Sequence, residues 1–144
     1  MRFSGKDLVV IVENASSVEV ALTFVTFVDI IHELEAHVTE GDPGEERKIT
    51  GRLRSDVKVT YEHDDTAVTG NNVVLSGIFG DATNVRTIRV RPLGTGIGKT
   101  EYVLDAVCPK YGPSGPRRGD KLVGEARFLP HERATTTPDW ANQT

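Results

Sequence analysis

Glu101-Tyr102-Val103-Leu104-Asp105-Ala106-Val107-Cys108 decides the fold class. In an extended chain Tyr102, Leu104, Ala106 and Cys108 share one side, and Glu101, Val103, Asp105 and Val107 share the other. That period of two marks a strand. The same period recurs outward in both directions. Leu122, Gly124, Ala126 and Phe128 alternate with Lys121, Val123, Glu125 and Arg127. Ile88 and Val90 alternate with Thr87, Arg89 and Arg91, and Val57, Val59 and Tyr61 with Lys58, Thr60 and Glu62. Val18, Val20, Leu22 and Phe24 alternate with Glu19, Ala21 and Thr23. Asp7 to Glu13 is a Val/Ile run held between turn signals at Ser4-Gly5 and Asn14-Ala15-Ser16-Ser17, as expected of a buried strand. About seven or eight strands at short intervals predict a mainly β fold, a sandwich or barrel with room for one short helix.

Four stretches read less directly. Ile30 to Thr39 as a strand puts Ile30, His32, Leu34, Ala36 and Val38 on one face and Glu33, Glu35 and His37 on the other. As a helix it would be capped by Asp29, with a stripe of Ile30, Ile31, Leu34 and Val38. Strand is preferred because every neighbouring segment is β-patterned. Glu40 to Ser55 is polar and turn-rich, with only Ile49 and Leu53 as large apolar residues, and reads as a long loop. The tail after Pro130 reads as extended or loose. Val74 to Ala82 is a candidate for the helix, although Gly77 and Gly80 weaken it.

The 144 residues predict one domain covering 1–144, long enough to bury a core without staples. There are 17 Lys and Arg against 21 Asp and Glu, a formal charge of −4, which argues against a general nucleic-acid binder. The charge is uneven: residues 1–40 carry 7 acids and 2 bases, residues 92–144 carry 6 and 7. The two ends therefore differ in sign, which matters if copies of the chain meet. One cysteine excludes an internal disulfide and a thiolate-based zinc site, and fits synthesis in a cytoplasm. Leu8 to Val12 is too short for a signal-peptide core, and Val18 to Ile31 is broken by Glu19 and Asp29, so neither targeting nor a membrane span is expected.

No catalytic constellation survives inspection. Gly94-Thr95-Gly96-Ile97-Gly98-Lys99-Thr100 imitates a phosphate loop, but the pattern needs Gly where Leu93 stands, and a strand follows instead of a helix. It reads as a Gly-rich turn. His32, His37, His63 and His131 show no metal-ligand spacing. Glu33 and Glu35 would share a strand face, which is more simply a solvated face than an acid–base pair. Ser16, Ser76 and Ser114 lack a nucleophile-elbow context, and Cys108 reads as a buried, inert thiol. No enzyme activity, cofactor or metal is expected.

The order of several segments resembles the major tail tube proteins of long-tailed (siphovirus-type) bacteriophages. The resemblance rests on the opening Met1-Arg2-Phe3-Ser4-Gly5-Lys6-Asp7-Leu8-Val9-Val10, then Glu35-Ala36-His37-Val38-Thr39, the Glu45-Glu46-Arg47 region and Ile49-Thr50-Gly51-Arg52-Leu53. It continues through Val57 to Glu62, the run Arg89 to Lys99, and Lys110-Tyr111-Gly112-Pro113-Ser114-Gly115-Pro116 with the strand Leu122 to Phe128. It covers residues 1 to about 130.

The resemblance implies a structural virion protein that forms hexameric rings stacked into a tail tube. Each subunit would contribute strands to an inner barrel around a lumen that DNA crosses without specific binding. It implies a loop at about 40–55 that contacts the adjacent ring, with Glu45, Glu46, Arg47, Lys48, Arg52 and Arg54 as contact residues. From alternation, Glu33, Glu35, Glu101 and Asp105 are expected to line the lumen. Expected partners are copies of the chain itself and other tail proteins such as the tape measure, terminator and distal tail proteins, with the virion tail as location and the host cytoplasm as site of synthesis. The alternatives are another phage structural part, a tail terminator or capsid decoration protein, or a monomeric β-barrel that binds a small ligand.

Overall fold

Alternating burial builds each strand of the core. In β2 (Val9–Glu13) Val10 and Val12 are fully buried while their neighbours are half-buried, and in β6 (Arg86–Arg91) Ile88 and Val90 do the same. A computed structural model of the chain describes residues 2–39, 48–64, 70–113 and 122–144. The remaining strands are β1 (Arg2–Ser4), β3 (Glu19–Ala21), β4 (Val25–Thr39), β5 (Lys48–Glu62), β7 (Thr100–Pro113), β8 (Val123–Pro130) and β9 (Asp139–Asn142), with one helix, α1 (Asn71–Ile78). The strands form one antiparallel sheet in the order β1-β4-β5-β8-β7-β6-β2-β3, with β9 added on β7. The mainly β expectation holds.

Strand β7 serves both halves of this sheet. Its first half pairs with β6, Tyr102 opposite Val90 and Ala106 opposite Arg86, and with β9, Thr100 opposite Asn142. Its second half pairs with β8, Lys110 opposite Arg127 and Pro113 opposite Gly124. The register shifts between Val107 and Lys110, where the extra residues bend the strand. The sheet thereby closes over a single core. Val10, Val12, Ile88, Val90 and Leu104 come from one half, and Val28, Ile30, Val57, Val59 and Phe128 from the other. Helix α1 adds Val74, Leu75 and Ile78.

Three readings of the sequence change here. Residues 48–55 are not loop: they form the first half of β5 and pair with β4, from Lys48 opposite Thr39 to Ser55 opposite His32. The apolar contrast that would announce this strand is missing because the segment runs past the core, and Leu34 and its partner Leu53 remain 54% and 36% exposed. Residues 40–47 of the expected loop lie outside the described residues. The tail is extended, one of the two states read for it, and is paired on β7 rather than loose. Strand β9 seats Trp140 against Phe3 and Tyr102, at ring distances of 5.8 and 5.1 Å. The helix begins at Asn71, earlier than Val74, and stops at Ile78 before Gly80, whose φ is +66°. Asn71 holds its start: Oδ1 accepts from Asp64 N–H, and Nδ2 donates to the Thr23 and Glu62 carbonyls. Ile30 to Thr39 is strand, as preferred.

Gly124 on β8 lies flat against the buried Tyr61 ring, where a Cβ would come within 2.5 Å of Cε2. Gly124→Ala is therefore expected to cost about 1–3 kcal/mol through overpacking, read as a lower urea midpoint with an unchanged slope. Wild-type stability would refute this packing.

Candidate functional site

The feature that least serves the subunit's own stability is the outer half of the β4–β5 hairpin. Core packing ends at the Ile30–Val57 pair, both buried. Beyond it the hairpin continues as an arm. Strand β1 covers β4 only at Phe27 to Asp29, and β8 covers β5 only from Val57 to Glu62. Residues 31–39 and 48–56 therefore each present one strand edge that pairs with nothing among the described residues. Such edges are templates for another chain. Their sequences differ in sign: β4 carries Glu33 and Glu35, β5 carries Lys48, Arg52 and Arg54. Within the arm Glu33 and Arg54 are register partners joined at 3.2 Å, an exposed pair worth at most about 1 kcal/mol.

The root of the arm is polar and buried. Ser55 and His32 face each other across the hairpin, and the Tyr102 hydroxyl from β7 meets both: Ser55 Oγ at 2.6 Å and His32 Nδ1 at 2.9 Å. Tyr102 and Ser55 are almost inaccessible to solvent. Burial raises the Tyr102 pKa, opposed by the Ser55 hydrogen bond, so the hydroxyl stays protonated at neutral pH. His32 Nε2 lies 3.8 Å from Asp139 Oδ1 on β9. Sequence reasoning missed this group. The available signal was His32, a polar residue on the otherwise apolar side of Ile30 to Val38.

Of the acids expected on one lumen face, Glu33 stands on a different face from Glu101 and Asp105. Glu33 points outward from the β4–β5–β8 half of the sheet, on the side opposite buried Ile30. Glu101 and Asp105 point outward from the β6–β7 half, across the core. Glu101 is only 4% exposed and takes two arginines, Arg89 Nη1 at 2.8 Å and Arg91 Nε at 2.9 Å; Arg89 also reaches Glu19 at 3.1 Å. Asp105 accepts from Thr87 and Thr136 hydroxyls. The side chains of Glu35, Lys48 and Arg52, and all of Glu45, Glu46 and Arg47, lie outside the described residues. On the outer face of β5 and β8, Arg127 grips Asp56 with two nitrogens, and Lys58 pairs with Glu125 at 3.3 Å.

The segment that imitates a phosphate loop is a turn closed by Gln143. Its Oε1 accepts from Gly96 N–H and its Nε2 donates to the Gly94 carbonyl. Gly94 and Gly98 have φ near +80°, which glycine adopts freely. Cys108 is buried, and burial pushes its thiol up to about 11, so little thiolate exists at neutral pH. Among the described residues no group of three or more His, Cys, Asp or Glu is placed to hold a metal ion, and no helix is long and apolar enough to cross a membrane.

With this geometry in hand, the fold can be compared with known ones. The sequence matches no protein-family model and no curated protein. Solved structures do match. One is a chain from the tail of an empty gene transfer agent particle, refined helically with C6 symmetry: TM-score 0.63 at 12% identity, covering 98% of each chain. Another comes from the virion of a native gene transfer agent particle: TM-score 0.57 at 14% identity, covering 96% of this chain and 98% of that one. At these identities the likeness establishes a shared fold.

Two tests address the charges that hold this frame. Glu101→Gln leaves Arg91 without a carboxylate and Arg89 with Glu19 alone; because both arginines are partly exposed, the expected loss is about 2–3 kcal/mol in chemical denaturation. An unchanged midpoint would show that the arginines find other partners. Asp81 accepts from the Asn84 and Thr83 N–H groups and their side chains, which hold its carboxyl well below the usual range. A lowered folded-state pKa stabilises above the unfolded value, near 4, and the gain is lost as pH falls. Asp81→Asn should flatten the acid limb of stability against pH and leave its neutral-pH shape alone.

Proposed function

We propose that this chain is a structural subunit of a phage-like tail, and that it assembles with copies of itself into hexameric rings stacked as a tail tube. The observation that carries the proposal is the fold likeness over nearly the whole of both chains to a subunit of a C6-symmetric tail. The arm supports it independently. It offers two strand edges of similar length whose sequences carry opposite charge, acidic on β4 and basic on β5. Laid side by side around an axis, the β5 edge of one copy meets the β4 edge of the next, and every arm edge is paired.

In that arrangement the Glu33–Arg54 side of the arm faces the water-filled lumen, and the side carrying Leu34 and Leu53 faces protein, where apolar surface is removed from water. A lining whose cations are already held by carboxylates gives DNA phosphates few free charges to grip. The segment 40–47, which joins β4 to β5 in the sequence, is assigned the contact with the adjacent ring through Glu45, Glu46 and Arg47, and other tail proteins bind at the tube's ends.

The charge logic allows a swap experiment read by negative-stain microscopy. Arg52→Glu/Arg54→Glu subunits have two acidic arm edges, and Glu33→Arg/Glu35→Arg subunits have two basic ones. Each alone is expected to stay unassembled, and the two mixed are expected to form rings or tubes by alternation. Assembly of either variant alone would reject edge pairing. A wild-type protein that stays monomeric at high concentration, with no tail component able to polymerise it, would reject the tube itself.

A further inference from the structure

The root of the arm holds a polar chain, buried at Ser55 and Tyr102 and open to solvent at Asp139, that ring assembly does not use. It runs Ser55 Oγ, Tyr102 Oη, His32 Nδ1, and from His32 Nε2 to Asp139 Oδ1, linking β5, β7, β4 and β9 in turn. Three facts make it more than core filler. Tyr102 contacts both strands of the arm at a register pair, His32 opposite Ser55, at the level where core packing stops. Its ring also packs edge-on against Trp140 of β9 at 5.1 Å and against His32 at 5.4 Å. And the last link is loose: 3.8 Å is too long for a hydrogen bond, although Asp139 Oδ1 already accepts from Trp140 N–H at 2.8 Å.

We propose that this chain is a proton-operated clamp that couples the C-terminal strand to the arm. With His32 neutral and its proton on Nδ1, Nδ1–H donates to Tyr102 Oη, Tyr102 donates to Ser55 Oγ, and the Nε2 lone pair faces the Asp139 carboxylate. When Nε2 takes up a proton, both ring nitrogens are donors, and Nε2–H draws the Asp139 carboxylate into a charge-assisted hydrogen bond. The hydrogen bonds of the chain keep their direction, the one from Nδ1–H to Tyr102 gains charge assistance, and one is added. The imidazole is a suitable trigger because a proton turns its acceptor nitrogen into a donor, and the His32 side chain is 26% exposed, open to solvent protons. Among the described residues, the titratable groups facing it are Tyr102 from β7 and Asp139 from β9. Strand β5 presents only Ser55, and Glu33 lies on the other face of β4, held by Arg54.

Acid thus fastens β9 to β4 and, through Tyr102, stiffens the arm root. The clamp is a property of the subunit, so its test does not depend on rings forming. Hydrogen exchange of the full chain, corrected for intrinsic rates, is followed from about pH 8 to about pH 5.5. Amides 139–142 and those at 31–34 and 53–56 should gain about two- to five-fold protection, the range of an exposed ion pair. Asp139→Asn, at an exposed position that tolerates the change, should abolish the gain in both places, as should His32→Gln. Tyr102→Phe should keep the gain in β9 and at 31–34 and lose it at 53–56. An identical pH response in Asp139→Asn and wild type, or a gain still transmitted to 53–56 in Tyr102→Phe, would overturn the clamp.

Discussion

The register break in β7 between Val107 and Lys110 is the constraint on which the rest of the molecule depends. One continuous strand has to pair with β6 and β9 along its first half and with β8 along its second. A straight strand would leave the two halves of the sheet in one plane, each with an apolar face open to water. Bent, it lays Leu104 of its first half over the same core as Phe128 of its partner β8. The break lies beside Cys108, whose sulfur contacts the Lys110 carbonyl and whose carbonyl receives Gly80 N–H, so the residues freed from the ladder are still satisfied. Helix α1 ends next to this point, with Phe79 bridged to Cys108.

From that bend follows the division between a body and an arm. The bend determines how far β8 can follow β5, and β8 stops pairing at Val57. Past Val57, β5 has only β4 beside it among the described residues. A two-stranded ribbon is marginal by itself. Here it is anchored by a buried hydroxyl at its root and by the five pairs, from Val25–Tyr61 to Ile30–Val57, that carry its ladder into the body.

How legible each part was in the sequence tracks which faces are buried. Strands β6 and β8 could be read because one side of each meets the core and the other does not, so Val90 stands between Arg89 and Arg91 and Ala126 between Glu125 and Arg127, while β2 could be read as a Val/Ile run held between turn signals. The first half of β5 could not, because Lys48 to Arg54 runs beyond any core and its pairing is enforced by β4 alone. Strand β9 hides for a different reason. Asp139-Trp140-Ala141-Asn142 has one large apolar residue, and its place is decided by Phe3 and Tyr102, distant in sequence. Helix α1 is disguised by Val73-Val74 and Gly77, which lower helix propensity; the close approach of Gly77 to Ala15 explains the glycine. The polar root was invisible as a site because Ser55, His32, Tyr102 and Asp139 come from four strands, yet His32 on an apolar face marked one of its corners.

The unlike edges of the arm carry a consequence for symmetry. A contact between two identical surfaces has a two-fold axis through it, whereas a contact between an acidic edge and a basic edge has none. Any closed array joined in this way lacks two-fold axes in its plane, so its top and bottom are chemically different surfaces. A stack of such arrays then has a direction written into every subunit, and its two ends can be told apart by whatever binds them.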